Sequence, residues 1–246
     1  MRFCITFSYD GSKYSGYQKQ PKMRTIQSEL EKALKKINAS KAVFITASGR
    51  TDAGVHAYSQ CAHFDLSTDI TCNKLKQALN SLIPDDIYVK SVSAVNDKFH
   101  ARFDVKAKEY IYKINMGNYN PIEKDYVFQY NKRLDISEIE RALKYLEGTH
   151  DFRSFVKIDE EKEDYTRTII QTSLMRDIKN VNLITISILG TGFMRYMVRN
   201  IVGTLIEIGE GKYKSEDIIS IIEAKDRKGA GMCAPACGLY LKDVYY

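Results

Sequence analysis

The chain has 246 residues, 44% of them hydrophobic, which is enough to bury a core and excludes global disorder. Lys and Arg number 37 against 31 Asp and Glu, a formal charge of +6 that leans toward a polyanionic partner without establishing one. Five cysteines without regular spacing argue against a disulfide scaffold, the N-terminus reads as a strand and not as a leader, and no apolar run approaches the roughly 18 residues of a membrane helix, so the expected address is the cytoplasm.

Residues 3–9 alternate Phe3, Ile5, Phe7 and Tyr9 with smaller residues, the pattern of a half-buried strand. Asp10-Gly11-Ser12-Lys13 ends it, and the segment from Tyr14 to Arg24 mixes aromatic rings with positive charge. From Thr25, a good N-cap, Ile26, Leu30, Ala33, Leu34 and Ile37 fall on one helical face. Val43-Phe44-Ile45-Thr46 then reads as an apolar strand leading into a polar loop, and Cys61-Ala62-His63-Phe64-Asp65 reads as the strand leading out. A short helix is expected near 73–82, stopped by Pro84, followed by a strand over 87–92.

A second basic and aromatic region, Phe99-His100-Ala101-Arg102-Phe103, precedes an alternating strand near 107–114. Residues 115–123 read as a loop, and a helix over 137–146 is closed by Gly148. The charge run 159–164 is expected to be an exposed turn. Strands over 168–175 and 183–189 lead to a buried helix, whose stripe Met194, Met197, Val198, Ile201, Leu205 and Ile208 carries Arg195 and Arg199 four apart. A last helix over 215–224 and a turn-plus-strand tail complete the chain. The pattern is α+β, a duplicated unit with halves at 1–106 and 107–246.

The densest polar constellation is the loop Ser48-Gly49-Arg50-Thr51-Asp52-Ala53-Gly54-Val55-His56. Thr-Asp-Ala-Gly is good turn chemistry, so Asp52 could merely cap a turn, with Arg50 as a surface partner. Arg199 tips the balance: an Arg on an apolar helix needs an anion, and a carboxylate held by an Arg stays ionised, as a nucleophile or base requires. No zinc-like second pair accompanies Cys233 and Cys237, and His56 and His63 read as packed or hydrogen-bonded, so no metal site is expected. No phosphate-binding loop, dinucleotide fingerprint or nucleophile elbow is present.

Gly49 to Ala57 resembles the signature of the tRNA pseudouridine synthase A family. Tyr14 to Gln20 with Thr25 to Leu34, Phe99 to Phe103, Lys108-Glu109-Tyr110, Gly148 to Phe152, Gly192 to Gly203, and Ala234-Pro235 with Gly238 to Leu241 resemble further family motifs in the expected order. The two thiols of Cys233-Ala234-Pro235-Ala236-Cys237 depart from that pattern, where a Thr and a non-Cys residue are expected.

The resemblance implies two similar α/β halves sharing a central antiparallel sheet, with helices on one face and the active-site cleft between the halves. It implies isomerisation of uridine to pseudouridine in the tRNA anticodon stem-loop, typically at positions 38 to 40, with no cofactor, by a homodimer. Asp52 would be the essential carboxylate, acting at the sugar C1′ or on the 2′ proton. Tyr110 would stack on the base, Arg199 would pair with Asp52, and Arg50 would occupy space or bind phosphate near the flipped nucleotide. Lys19, Lys22, Arg24, Arg102 and Lys108 are candidates for contacts to the RNA backbone. Two rivals stand beside this reading. One is a non-catalytic tRNA-binding or RNA-chaperone protein on the same scaffold. The other is a carboxylate-pair hydrolase, which would need a second acid facing Asp52.

Overall fold

The computed structural model describes residues 1–158 and 164–246, so the charge run 159–164, apart from Asp164, lies outside the described residues. The architecture is α+β, with strands paired mostly antiparallel, and it divides into two compact units: Met1–Lys106 with Tyr240–Tyr246, and Ala107–Leu239.

The first unit opens with β1 (Arg2–Tyr9), whose strict alternation buries Phe3, Ile5, Phe7 and Tyr9. It pairs antiparallel on one side with β3 (His56–Asp65) and on the other with β4 (Ile87–Ala94). Between them come α1 (Ile26–Ile37), β2 (Thr46–Ala47) and α2 (Cys72–Leu82). Thr25 caps α1 by a reciprocal box: its hydroxyl accepts the Ser28 amide, and the Ser28 hydroxyl accepts the Thr25 amide. The apolar face of α1 buries Ile26, Leu30, Ala33 and Leu34. Asn80 of α2 donates to the Val89 carbonyl and accepts its amide, which covers part of the free edge of β4.

Two sequence expectations change here. The strand into the polar loop is only Thr46–Ala47; Val43 and Ile45 are buried and Phe44 is 81% exposed, so the alternation is real but no ladder pairs it. The closing strand β10 (Leu239–Tyr245) belongs mostly to the first unit, not to the second half: Tyr240 and Leu241 pair parallel with His56 and Ala57 of β3.

The second unit is built on β5 (Ala107–Asn115), β9 (Leu183–Gly190), β8 (Thr166–Arg176) and β7 (Gly148–Asp151), hydrogen-bonded in that order, with β6 (Phe128–Gln129) parallel to β5. α3 (Ile136–Tyr145) is capped by Asp135 and packs on β8 and on α4 (Met197–Gly209); α5 (Asp217–Ala224) follows. α4 starts later than its apolar stripe implies. Tyr196 has φ 65°, in the left-handed region, so the helix cannot run back through it. Met194 and Arg195 therefore precede the helix, and Arg195 is exposed with its guanidinium near the Tyr196 ring.

Candidate active site

Asp52 sits in the loop between β2 and β3, and the strands hold the base of that loop. The Ser48 amide donates to the Cys61 carbonyl at 2.8 Å. Buried Gln60 accepts from the Ser48 hydroxyl at 2.6 Å and donates to the Gly49 carbonyl at 3.1 Å. The tip is pinned from β1 and the Tyr14–Arg24 segment. Tyr9 and Thr51 share a hydroxyl hydrogen bond of 2.8 Å, and the Tyr17 amide donates to the Thr51 carbonyl at 3.1 Å. Burial pushes the Tyr9 phenol up to about 12, so it stays neutral in this role.

Gly16 lies against the same loop at φ +91°; a Cβ there would come within 2.9 Å of the Thr51 carbonyl oxygen and 3.3 Å of the Asp52 carbonyl carbon. The Val55 amide closes a turn onto the Asp52 carbonyl at 3.2 Å. His56 is buried; its Nδ1 accepts the Gly11 amide at 3.1 Å and its ring stacks on Tyr240 at 4.6 Å. The outcome is a fixed backbone on which Thr51 is buried, Asp52 is partly exposed and Arg50 is exposed.

In the second unit, Tyr110 lies on β5 opposite Ile188, 8% exposed, with Phe193 edge-on to its ring at 5.1 Å. Lys108 precedes it by two residues and so shares its face of the strand. Arg199, in the first turn of α4, donates from Nε to the Ala234 carbonyl at 2.7 Å, while the Ala234 amide donates to the Arg199 carbonyl at 3.1 Å. This reciprocal pair fastens the Cys233–Cys237 turn to α4. Gly203 permits the approach, since a Cβ there would meet the Met232 carbonyl oxygen at 1.7 Å. Tyr112 secures the other side of the turn by donating to the Pro235 carbonyl at 2.6 Å. Of the two departing thiols, Cys233 is exposed, and burial raises the Cys237 thiol so that it remains protonated.

A cavity of about 510 Å³ opens beside Arg199, with Lys157, Arg227, Asn200, Tyr196 and Cys233 in its wall. Arg227 is braced by the Asn200 amide oxygen and the Ala230 carbonyl, each at 3.0 Å. Sequence reading did not single out Lys157 and Arg227, because two lone cations from separate segments leave no pattern, and it met Asn200 only as part of the Gly192 to Gly203 motif. The only local sign was the Asp226-Arg227-Lys228 run near the closing motif.

The other expected contact residues fall in different settings. Lys19 pairs with Glu31 at 3.0 Å, and Arg24 pairs with Asp86 at 2.9 Å while lying over the Tyr14 ring at 4.2 Å. Lys22 is exposed, with φ 60°, at the tip of that segment. Arg102 is exposed near the Phe103 ring. Asp65, the acid a hydrolase would need, lies at the far end of β3 from the Asp52 loop and pairs with Arg2 at 2.8 Å. The ten residues of β3 span about 30 Å, well beyond the ~5–9.5 Å that separates paired glycosidase carboxylates. Among the described residues, no group of three or more His, Cys, Asp or Glu is placed to hold a metal, and no helix is long and apolar enough to cross a membrane.

Comparison with known proteins adds to this geometry. The sequence matches the tRNA pseudouridine synthase family over residues 5–104 and 142–246. It is 45% identical to tRNA pseudouridine synthase A of Geobacillus sp. (strain WCH70) over 247 residues, covering 100% of this chain and 98% of that one. It is 43% identical to tRNA pseudouridine synthase A of Bacillus subtilis (strain 168) over 248 residues, covering 100% and 99%. Likeness of this extent includes both the Asp52 loop and the Arg199 turn, and the chain belongs to the tRNA pseudouridine synthase A family.

Proposed function

We propose that this chain is an isomerase that converts uridine to pseudouridine in tRNA, at positions 38 to 40 of the anticodon stem-loop, in the cytoplasm, as a homodimer and without a cofactor. The observation that carries the reading is the presentation of Asp52. Gln60, Tyr9, Tyr17 and Gly16 converge on Ser48, Gly49, Thr51 and the Asp52 backbone of one short loop, so the partly exposed Asp52 projects from a backbone held at several points. A group held this way is preorganised for chemistry on a bound sugar.

The reaction breaks the N1–C1′ bond, rotates the freed base and forms a C5–C1′ bond; C5 loses its proton and N1 gains one, so no net proton is taken up or released. A uridine in a paired stem must leave its stack first, at a cost of a few kcal/mol. In this reading Asp52 acts at C1′ or takes the 2′ proton. Tyr110 stacks on the extruded base and assists the C5 proton, and Arg199 is the counter-ion that keeps Asp52 charged. Arg50 fills the space left by the base or holds its phosphate. Lys157, Arg199 and Arg227 make the cavity beside α4 cationic, which supports a place there for flanking phosphates. Lys22, Arg102 and Lys108 are the sites for longer-range backbone contacts, with Lys19 and Arg24 sharing that work with their carboxylate partners.

A non-catalytic tRNA-binding protein would have no use for so firmly held a carboxylate. The deciding experiment maps pseudouridine in total tRNA after incubation with wild-type protein and with Asp52→Asn. New pseudouridine at 38 to 40 with wild type alone supports the reading. Tight tRNA binding without modification by either protein would replace it with the binding-protein reading.

A further inference from the structure

The Phe99–Phe103 loop is built as firmly as the Asp52 loop, yet it lies at the other end of β3. Buried His63, two residues before the end of that strand, accepts the Ala101 amide at Nδ1 (3.1 Å). Tyr246 donates to the Ala101 carbonyl at 2.7 Å, and Arg2 donates to the Phe99 carbonyl at 3.0 Å. His100 turns the chain inward: its Nδ1 accepts the amides of both Arg102 and Phe103, at 3.2 and 3.3 Å, and Asp104 accepts the His100 amide at 2.9 Å. These bonds leave two side chains pointing at solvent. Arg102 is exposed, and Phe103 is 75% exposed with one face stacked on His100 at 4.1 Å.

A single exposed apolar residue is ordinary on a protein surface. A phenyl ring stacked at 25° on an imidazole, on a loop whose backbone is fixed at both ends, is a preformed aromatic surface that stays largely exposed. The Arg102 guanidinium carbon lies over this ring at 6.0 Å from its centroid, on an exposed side chain that can swing to an anion beside it. An aromatic face beside a guanidinium suits an unstacked nucleobase and its adjoining phosphate, because every base offers a π-face and a neighbouring anion.

We propose that Phe103 is a stacking platform for an unpaired base of the tRNA, with Arg102 on the adjoining phosphate and His100 as the positioning residue beneath. The proposal rests on the tRNA reading above. From His56, beside the Asp52 loop, to His63 is seven residues of strand, about 23 Å. The platform therefore grips the RNA away from the reacting uridine, and it acts on affinity more than on chemistry.

The test uses the full-length enzyme with Phe103→Ala, Phe103→Leu and Phe103→Tyr, and an unmodified tRNA transcript. Two quantities are read: the Kd for tRNA, and the single-turnover rate of pseudouridine formation at saturating tRNA. Phe103→Ala and Phe103→Leu are expected to weaken binding roughly tenfold or more, the scale of one lost base stack. The loss falls on affinity rather than on the saturated rate, and Phe103→Tyr restores affinity. Arg102→Ala lowers the salt dependence of binding by about one ion. Wild-type affinity in Phe103→Leu would overturn the proposal, since stacking needs an aromatic ring. A changed oligomeric state with unchanged tRNA affinity would overturn it in favour of a protein contact. If the wild type makes no pseudouridine, the catalytic reading fails, while Phe103-dependent tRNA binding would still register separately.

Discussion

Replacing Gly16 by Ala tests whether the Asp52 loop is held by backbone contact. Two costs act together at this position. The backbone sits at φ +91°, where an L side chain is strained by about 1–2 kcal/mol. The added Cβ would also lie 2.9 Å from the Thr51 carbonyl oxygen and 3.2 Å from the Ala53 amide nitrogen, both of them backbone, and such crowding costs about 1–3 kcal/mol. Gly211 supplies the control: it has φ +79°, but nothing lies within 4 Å of its would-be Cβ, so Gly211→Ala carries only the first cost. Urea unfolding should therefore show Gly16→Ala less stable than Gly211→Ala by about 1–3 kcal/mol. The loop must shift to admit the methyl group, and a displacement of about 1 Å in a catalytic group costs on the order of 100-fold. Single-turnover pseudouridine formation should thus fall about 10- to 100-fold in Gly16→Ala and remain at the wild-type rate in Gly211→Ala. Equal stability losses in the two variants, with full activity in both, would refute the argument.

Three further outcomes are expected. Tyr110→Phe keeps the ring against Phe193 and should slow turnover more than it weakens tRNA binding; equal losses in both would assign the hydroxyl to folding or affinity. Lys22→Ala should weaken tRNA binding by about 1 kcal/mol and reduce the salt slope without altering the urea midpoint, because the side chain is exposed; an unchanged slope would remove Lys22 from the interface. Burial, with Arg2 and His100 nearby, holds the His63 imidazole below its usual 6.5 despite Asp65 and Asp104. The unfolded chain then binds the extra proton first, so stability should fall as pH drops below about 6.5 toward the folded value. Urea midpoints across that window should decline for wild type and decline less for His63→Gln, whose amide oxygen can still accept from Ala101; parallel curves would discount His63.

The sequence revealed most where local pattern decides structure. β1 is an alternating strand, β5 is a strand where its pattern placed one although Tyr110, Ile111 and Tyr112 are all buried, and Thr25 with the stripe from Ile26 to Leu34 announces α1 and its cap. It misled where a long-range or backbone-specific fact decides. The apolar stripe of α4 runs on through Met194, but Tyr196 in the left-handed region ends the helix there, and periodicity carries no such dihedral. The tail was legible as a strand, whereas its return to β3 through Tyr240 and Leu241 is a matter of topology. The same division holds at the site. The Asp52 motif stood out, but its support by Gly16 and Gln60 depends on close approach between segments far apart in sequence. Lys19 and Arg24 looked like free cations because Glu31 and Asp86 lie 12 and 62 positions away.

The return of β10 to β3 also sets an order of events in synthesis. The first unit is interrupted by the whole of residues 107–239, so a growing chain can assemble β1, β3 and β4 long before the strand that pairs with His56 and Ala57 exists. Closing so long an interval carries a loop-closure cost of roughly 4 kcal/mol unless folding of the intervening unit offsets it. Tyr240, which stacks on His56 and Tyr58, and Tyr246, which ties down Ala101, emerge after residues 1–106 and the whole of the second unit. The supports of the Asp52 loop and of the Phe103 loop are therefore completed by the same late segment, and a nascent chain lacking it would hold neither in its final form.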